Sequence, residues 1–123
     1  MVPAVVAASC GGGSSPDAST FCRRLDRLTA NDPFQAFGDR ATPKEIETAF
    51  TALVARADEL LDSAPDDVRP ATRDYADAAK GLADLLAAAA YDGDQVDARA
   101  YRDEQVQYTE AASRLERYLT TSC

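Results

Sequence analysis

A chain of 123 residues with 21 acidic against 13 basic side chains, a net charge of −8 and no histidine closes off several kinds of work at once. Nucleic acid demands a basic stripe to meet its phosphates, and without histidine there is no Ser–His or Cys–His nucleophile pair and no imidazole metal ligand. The acidic balance also disfavours electrostatic adhesion to anionic lipid, and the longest internal apolar run, Leu85–Tyr91, falls far short of the roughly 18 residues of a spanning helix.

Residues 1–9, MVPAVVAAS, are uncharged and mostly apolar; they run into Cys10, and a loose Gly11-Gly12-Gly13-Ser14-Ser15-Pro16 tract follows. Small residues before a cysteine and a polar tract after it resemble the lipobox of bacterial lipoproteins. The resemblance implies that Cys10 receives a diacylglyceryl group, becomes the mature N-terminus and anchors the chain to the outer face of the cell membrane. A secreted protein is the alternative. It also divides the chain into a lipoprotein signal segment at 1–9, a flexible tether at 10–17 and a helical domain at 18–123. A signal segment normally opens with basic residues; residues 1–9 have none, so they read as a truncated one. An ordinary apolar N-terminus is the other reading of the same residues.

The domain reads as four helices. The first spans roughly Ser19–Ala30, with Phe21, Leu25 and Leu28 on one face and Asn31-Asp32-Pro33 as its stop. The second has the best start signal in the chain: Thr42 as N-cap, Pro43 at the first helical position and Glu45 completing a capping box. Its stripe Ile46, Phe50, Leu53, Ala57, Leu60, Ala64 keeps the helical period. Pro65-Asp66-Asp67 ends it and opens the third, whose face is Val68, Thr72, Tyr75, Ala79, Leu82 and Leu86, with Ala76, Ala83 and Ala90 beside it to let a neighbouring helix approach closely, and which Asp92-Gly93 breaks. The fourth runs from about Ala98 to Thr121, capped by Asp97 or Asp103, with Tyr101, Tyr108, Ala112, Leu115 and Leu119 on its stripe. No alternating β-branched stretch competes, so the expected class is all-α.

Three cysteines is an odd count, which in an exported protein asks for a separate role for one of them. If Cys10 is acylated as the lipobox resemblance implies, Cys22 and Cys123 remain, near the two ends of the domain. Paired, they would close a loop of roughly 100 residues, worth about 4–5 kcal/mol in the chain-entropy model, in an oxidising compartment. Two unrelated thiols in a cytosolic protein is the alternative. An up-down four-helix bundle brings its chain ends together, so this topology, closed by a disulfide between the two ends, is the expected architecture.

That architecture puts the tether and the disulfide at a membrane-proximal end and leaves the connections Asn31–Ala41 and Asp92–Asp97 at the other. Loops on a rigid scaffold are the usual place for binding residues. The first carries Phe34, Phe37 and Arg40, the second Asp92, Asp94 and Asp97 beside Tyr91. These form the expected contact face; the plainer reading has Phe34 and Phe37 plugging the bundle end and the aspartates capping helices.

Candidate chemistry is thin. Asp92-x-Asp94-x-x-Asp97 has the outline of a calcium loop, but Val96, Asp97 and Asp103 stand where an EF-hand needs an oxygen ligand, Gly and Glu. The pairs Asp66-Asp67 and Asp103-Glu104 fit first helical turns, where negative charge complements the dipole. Tyr75, Tyr101 and Tyr108 are expected in the core with hydroxyls near the rim, a tyrosinate haem ligand being the other reading, and Arg23, Arg24 and Arg27 on a solvated face, with contact to lipid headgroups at the membrane end as the alternative. No enzyme activity, cofactor or metal is expected.

The layout of lipobox, tether, Phe21-Cys22, Asp32-Pro33-Phe34, Thr42-Pro43-x-Glu45-Ile46, Pro65-Asp66-Asp67 and Tyr118-Leu119…Cys123 is similar to that of short, Ala-rich, exported helical lipoproteins of actinobacteria. The resemblance implies location and fold and carries no catalytic residue. The expected function is a monomeric, envelope-anchored, non-enzymatic binding or structural module whose partner is an envelope protein. The alternative is a small-ligand carrier with a cavity inside the bundle, for which a space of some 300 Å³ or more lined by Leu, Phe and Tyr would speak.

Overall fold

A computed structural model describes residues 18–30 and 41–123. They form four helices: α1 (Ala18–Ala30), α2 (Pro43–Asp62), α3 (Arg69–Ala88) and α4 (Ala98–Ser122), with a single 3₁₀ turn at Gly93–Gln95 before α4. No strand occurs among the described residues. The expected all-α class and helical bundle are what forms. Cys10, Phe34, Phe37 and Arg40 lie outside the described residues.

The start of α2 is set locally. The Thr42 hydroxyl accepts from the Glu45 amide at 3.2 Å, and the Glu45 carboxylate accepts from the Thr42 amide at 2.9 Å. Pro43 follows the cap, where no backbone donor is needed. From there Phe50, Leu53, Ala57, Leu60 and, past the helix end, Ala64 are buried, and Ile46 is half-buried against them. Each large side chain so buried contributes roughly 2 kcal/mol of hydrophobic stabilisation.

α3 is the central element, packing on α2 before it and on α4 after it. Two neighbours require burial on two sides: with Thr72, Tyr75, Ala79, Leu82 and Leu86 it buries the flanking Ala76 and also Ala78, while Ala83 is half-buried and Ala90 falls past the helix end, exposed. Small side chains there let both neighbours come close. The helix begins without a side-chain cap: Val68 occupies the N-cap position and is itself buried. The Asp66-Asp67 pair therefore sits in the turn ahead of α3, not in its first turn, because burying Val68 fixes where the helix can start. Asp103 and Glu104 likewise fall in the second turn of α4, since Asp97 is the residue that caps it, accepting from the amides of Arg99 at 3.0 Å and Ala100 at 3.2 Å.

The end of α3 corrects the expectation that Asp92-Gly93 breaks it. The helix stops at Ala88. Ala90 donates its amide to the Ala87 carbonyl at 3.0 Å, and Tyr91 to the Leu86 carbonyl at 2.7 Å. This double bond pattern, with left-handed backbone at Ala90, is the Schellman closure usually made with glycine. In α4 the buried alanine is Ala111, with Ala112 half-buried beside it, one position off the expected stripe.

α1 touches α2 and α4, less extensively than α3 does. Phe21, Leu25 and Leu28 are its buried face. Arg24, beside the exposed Arg23 and Arg27, also donates to the Glu59 carbonyl of α2 at 2.7 Å. The expected disulfide is present: Cys22 and Cys123 are bonded with Cα atoms 5.8 Å apart. Beside it the Phe21 ring meets Tyr118 edge-on at 5.5 Å between centroids.

Candidate functional site

α1 is 13 residues long and α4 is 25, so α1 covers only part of the length of its neighbours. Where it does not reach, α2, α3, α4 and the α3–α4 connection surround a cleft of about 590 Å³. The start of α2 contributes Ile46 and Phe50, and α3 contributes Leu86 near its C-terminus. Asp92, Gly93, Asp94 and Val96 come from the connection, and Ala98, Tyr101, Arg102 and Gln105 from the first two turns of α4. The last four are spaced at i, i+3, i+4 and i+7, one face of a helix. At 1.5 Å per residue, this face lies about 30 Å along α4 from the disulfide at its far end.

The floor is apolar. Phe50 and Leu86 are buried, and Ile46, Val96 and Tyr101 are half-buried against the core. One carboxylate oxygen of Asp92, Oδ1, accepts from the Asp94 amide at 3.0 Å and starts the 3₁₀ turn. Among the described residues the side chains of Asp94, Tyr101 and Arg102 make no hydrogen bond or ion pair. Burial pushes the Tyr101 phenol above its ordinary pKa, which keeps it protonated and able to donate.

No protein-family model, curated protein or solved structure matches this chain.

Of the residues singled out in the sequence, Asp92 and Asp94 line the cleft, while Tyr91 does not. Tyr91 packs against the core in the Schellman turn. The cleft's floor was missed, because Phe50 and Leu86 read simply as core positions. The i, i+3, i+4, i+7 set from Ala98 to Gln105 was the available signal: it joins Tyr101, one heptad ahead of the buried Tyr108, to the polar Arg102 and Gln105.

Two smaller spaces do less. One of about 120 Å³ lies between Leu25, Leu28, Tyr75 and Tyr108, below the size of ordinary ligand sites. Tyr75 and Tyr108 were expected to place hydroxyls at the rim; instead these are buried and hydrogen-bonded to each other at 2.9 Å, with ring centroids 4.9 Å apart. The other is an open groove along α3 and α4 beside Gly81, Asp84, Asp103 and Glu104. There Lys80 already pairs with Asp84 at 3.1 Å, and Glu104 lies over Gly81, where an added Cβ would stand 2.5 Å from the carboxylate. No group of three or more potential metal ligands occurs among the described residues, and no described helix is long and apolar enough to cross a membrane.

Proposed function

We propose that this chain is a non-enzymatic binding module of the cell envelope, tethered through acylated Cys10 and using the end of the bundle that carries the cleft as its contact face. The observation that carries the reading is the cleft: an apolar floor, the side chains of Asp94, Tyr101 and Arg102 that no described residue engages, and a volume within the 300–1,000 Å³ of small-molecule sites. The envelope location rests on the lipobox resemblance at Cys10, supported by a disulfide of a kind that persists in oxidising compartments.

The helices in this reading run up-down-up-down. Contacts between α3 and α4 support it: Tyr75 meets Tyr108, Gly81 meets Glu104, and Leu86 shares the cleft with Tyr101, so one index rises as the other falls. The cleft then faces away from the membrane, at the far end of α4 from the tether. A second reading, capture of a small ligand, is favoured by the cleft's volume, with the space at the end of the bundle instead of inside it.

Two measurements test the proposal. Mass spectrometry of the unreduced protein from its native host is expected to find acylated Cys10 and the Cys22–Cys123 bridge; an intact Met1 with Cys10 as a free thiol overturns the anchor. A photoreactive residue at Gln105 is expected to give a discrete adduct in the host that Ala98→Trp, which fills the cleft from an exposed position, removes. Adducts equal to those from a probe at Arg117, at the disulfide end, overturn the assignment of the contact face.

A further inference from the structure

We propose that the cleft takes a small zwitterionic ligand with an apolar body, an apolar amino acid or a dipeptide with free ends, its ammonium facing Asp92 and Asp94 and its carboxylate facing Arg102. This rests on the binding-module reading and names the ligand class of the same site.

Asp94 and Arg102, of opposite charge, line one cleft, yet no ion pair within 4.0 Å joins Arg102 to any described residue. Elsewhere on the same surface opposite charges do close on each other: Arg114 on Asp74 at 3.2 Å and Lys80 on Asp84 at 3.1 Å. An exposed pair gains little by closing, so leaving this one open costs the fold little and keeps both charges for a third body. Tyr101, whose hydroxyl is also without a described partner, lines the same cleft and carries a donor.

Ligand classes are sorted by what each leaves unmet. A neutral apolar molecule fills the floor of Phe50, Leu86 and Val96 but strands both charges. An anion meets Arg102 and is repelled by two carboxylates. A simple amine meets Asp92 and Asp94 and leaves Arg102 unanswered. A zwitterion answers both signs, and its carboxylate can engage the guanidinium through two parallel N–H···O bonds, the strong geometry for that group. Its apolar side chain displaces water from the floor, which supplies the non-directional part of the affinity.

The test uses the full chain and leucyl-phenylalanine, with its N-acetylated and C-amidated forms, followed by backbone amide resonances. The free dipeptide is expected to shift Val96, Tyr101 and Gln105. Blocking either end is expected to weaken binding about tenfold, the scale of one lost charge-assisted contact. Asp94→Asn is expected to erase the discrimination against the acetylated form, and Arg102→Gln that against the amide; both positions are exposed, so both variants keep the thermal midpoint. Blocked forms binding within about twofold of the free one, or no shift at about 10 mM dipeptide, overturn the proposal. If dipeptides fail while the Gln105 adduct persists and remains sensitive to Ala98→Trp, the ligand class falls and the binding module stands; if both fail, both fall.

Discussion

Ala90 and Tyr91 hold φ values of 54° and 60°, left-handed backbone at two successive residues that are not glycine. That region brings Cβ against the carbonyl oxygen at a cost of roughly 1–2 kcal/mol per residue. The bonds back to Ala87 and Leu86 and the packing of the Tyr91 ring hold it in place. Ala90 is exposed and makes no use of its methyl. Ala90→Gly is therefore expected to raise stability by about 0.5–1 kcal/mol, the left-handed relief less the extra entropy of glycine in the unfolded chain. Urea denaturation checks it; a loss of about 1 kcal/mol, the ordinary cost of glycine inside a helix, would mean that Ala90 is helical. Nothing in the sequence announced this turn. A run of four alanines reads on as helix, and only the demand that Tyr91 reach the core bends the chain there.

At the scale of elements, α2 was legible to the residue because its start is a short-range device. Thr42, Pro43 and Glu45 satisfy each other within one turn, with no help from the rest of the fold. The Thr42 bonds hold the Glu45 carboxyl below its ordinary pKa. A lowered folded-state pKa contributes stability that is present above the unfolded value and lost as pH falls through the folded one. Thr42→Ala is expected to cost about 1 kcal/mol at neutral pH, and Glu45→Gln, which removes the titrating carboxyl, to flatten the decline of the thermal midpoint below about pH 5 relative to the unaltered chain. Melts of the variants and the unaltered chain across that range check it; parallel curves for Glu45→Gln and the unaltered chain would show that the box does not form. The start of α3 was less legible for the opposite reason. Its N-cap is a buried valine without a capping side chain, so tertiary packing outweighs the local signal of Asp66 and Asp67. In α4 the heptad-like stripe was read correctly to one position, and which of Ala111 and Ala112 faces inward depends on the angle at which α3 crosses it.

For the whole molecule, the bond between Cys22 and Cys123 spans 101 residues. Removing it, by reduction or by Cys22→Ser with Cys123→Ser, is expected to lower unfolding free energy by about 4–5 kcal/mol, the closure entropy of a loop of that length. The loss should be uneven. At 13 residues α1 is at the limit of helices that persist alone in water, and once the bond is cut three buried side chains and the Arg24 bond to the Glu59 carbonyl hold it to the bundle. Hydrogen exchange after reduction is expected to open α1 while α3 and α4 stay protected. An unmoved midpoint, or protection lost equally in all helices, would show that the disulfide does not hold α1 in place.

The sequence by itself determined the helices, their apolar faces, the cap of α2 and the pairing logic of three cysteines, because each rests on short-range periodicity or on counting. Only the tertiary structure decided that Arg24 ties α1 to α2, that Tyr75 and Tyr108 bond to each other, and that Phe50, Leu86, Tyr101 and Arg102 share one cleft. Those facts depend on the lengths of packed helices and the distances between them: α1 ends short of its neighbours, and the space it leaves is assembled from residues up to roughly 60 positions apart in the chain.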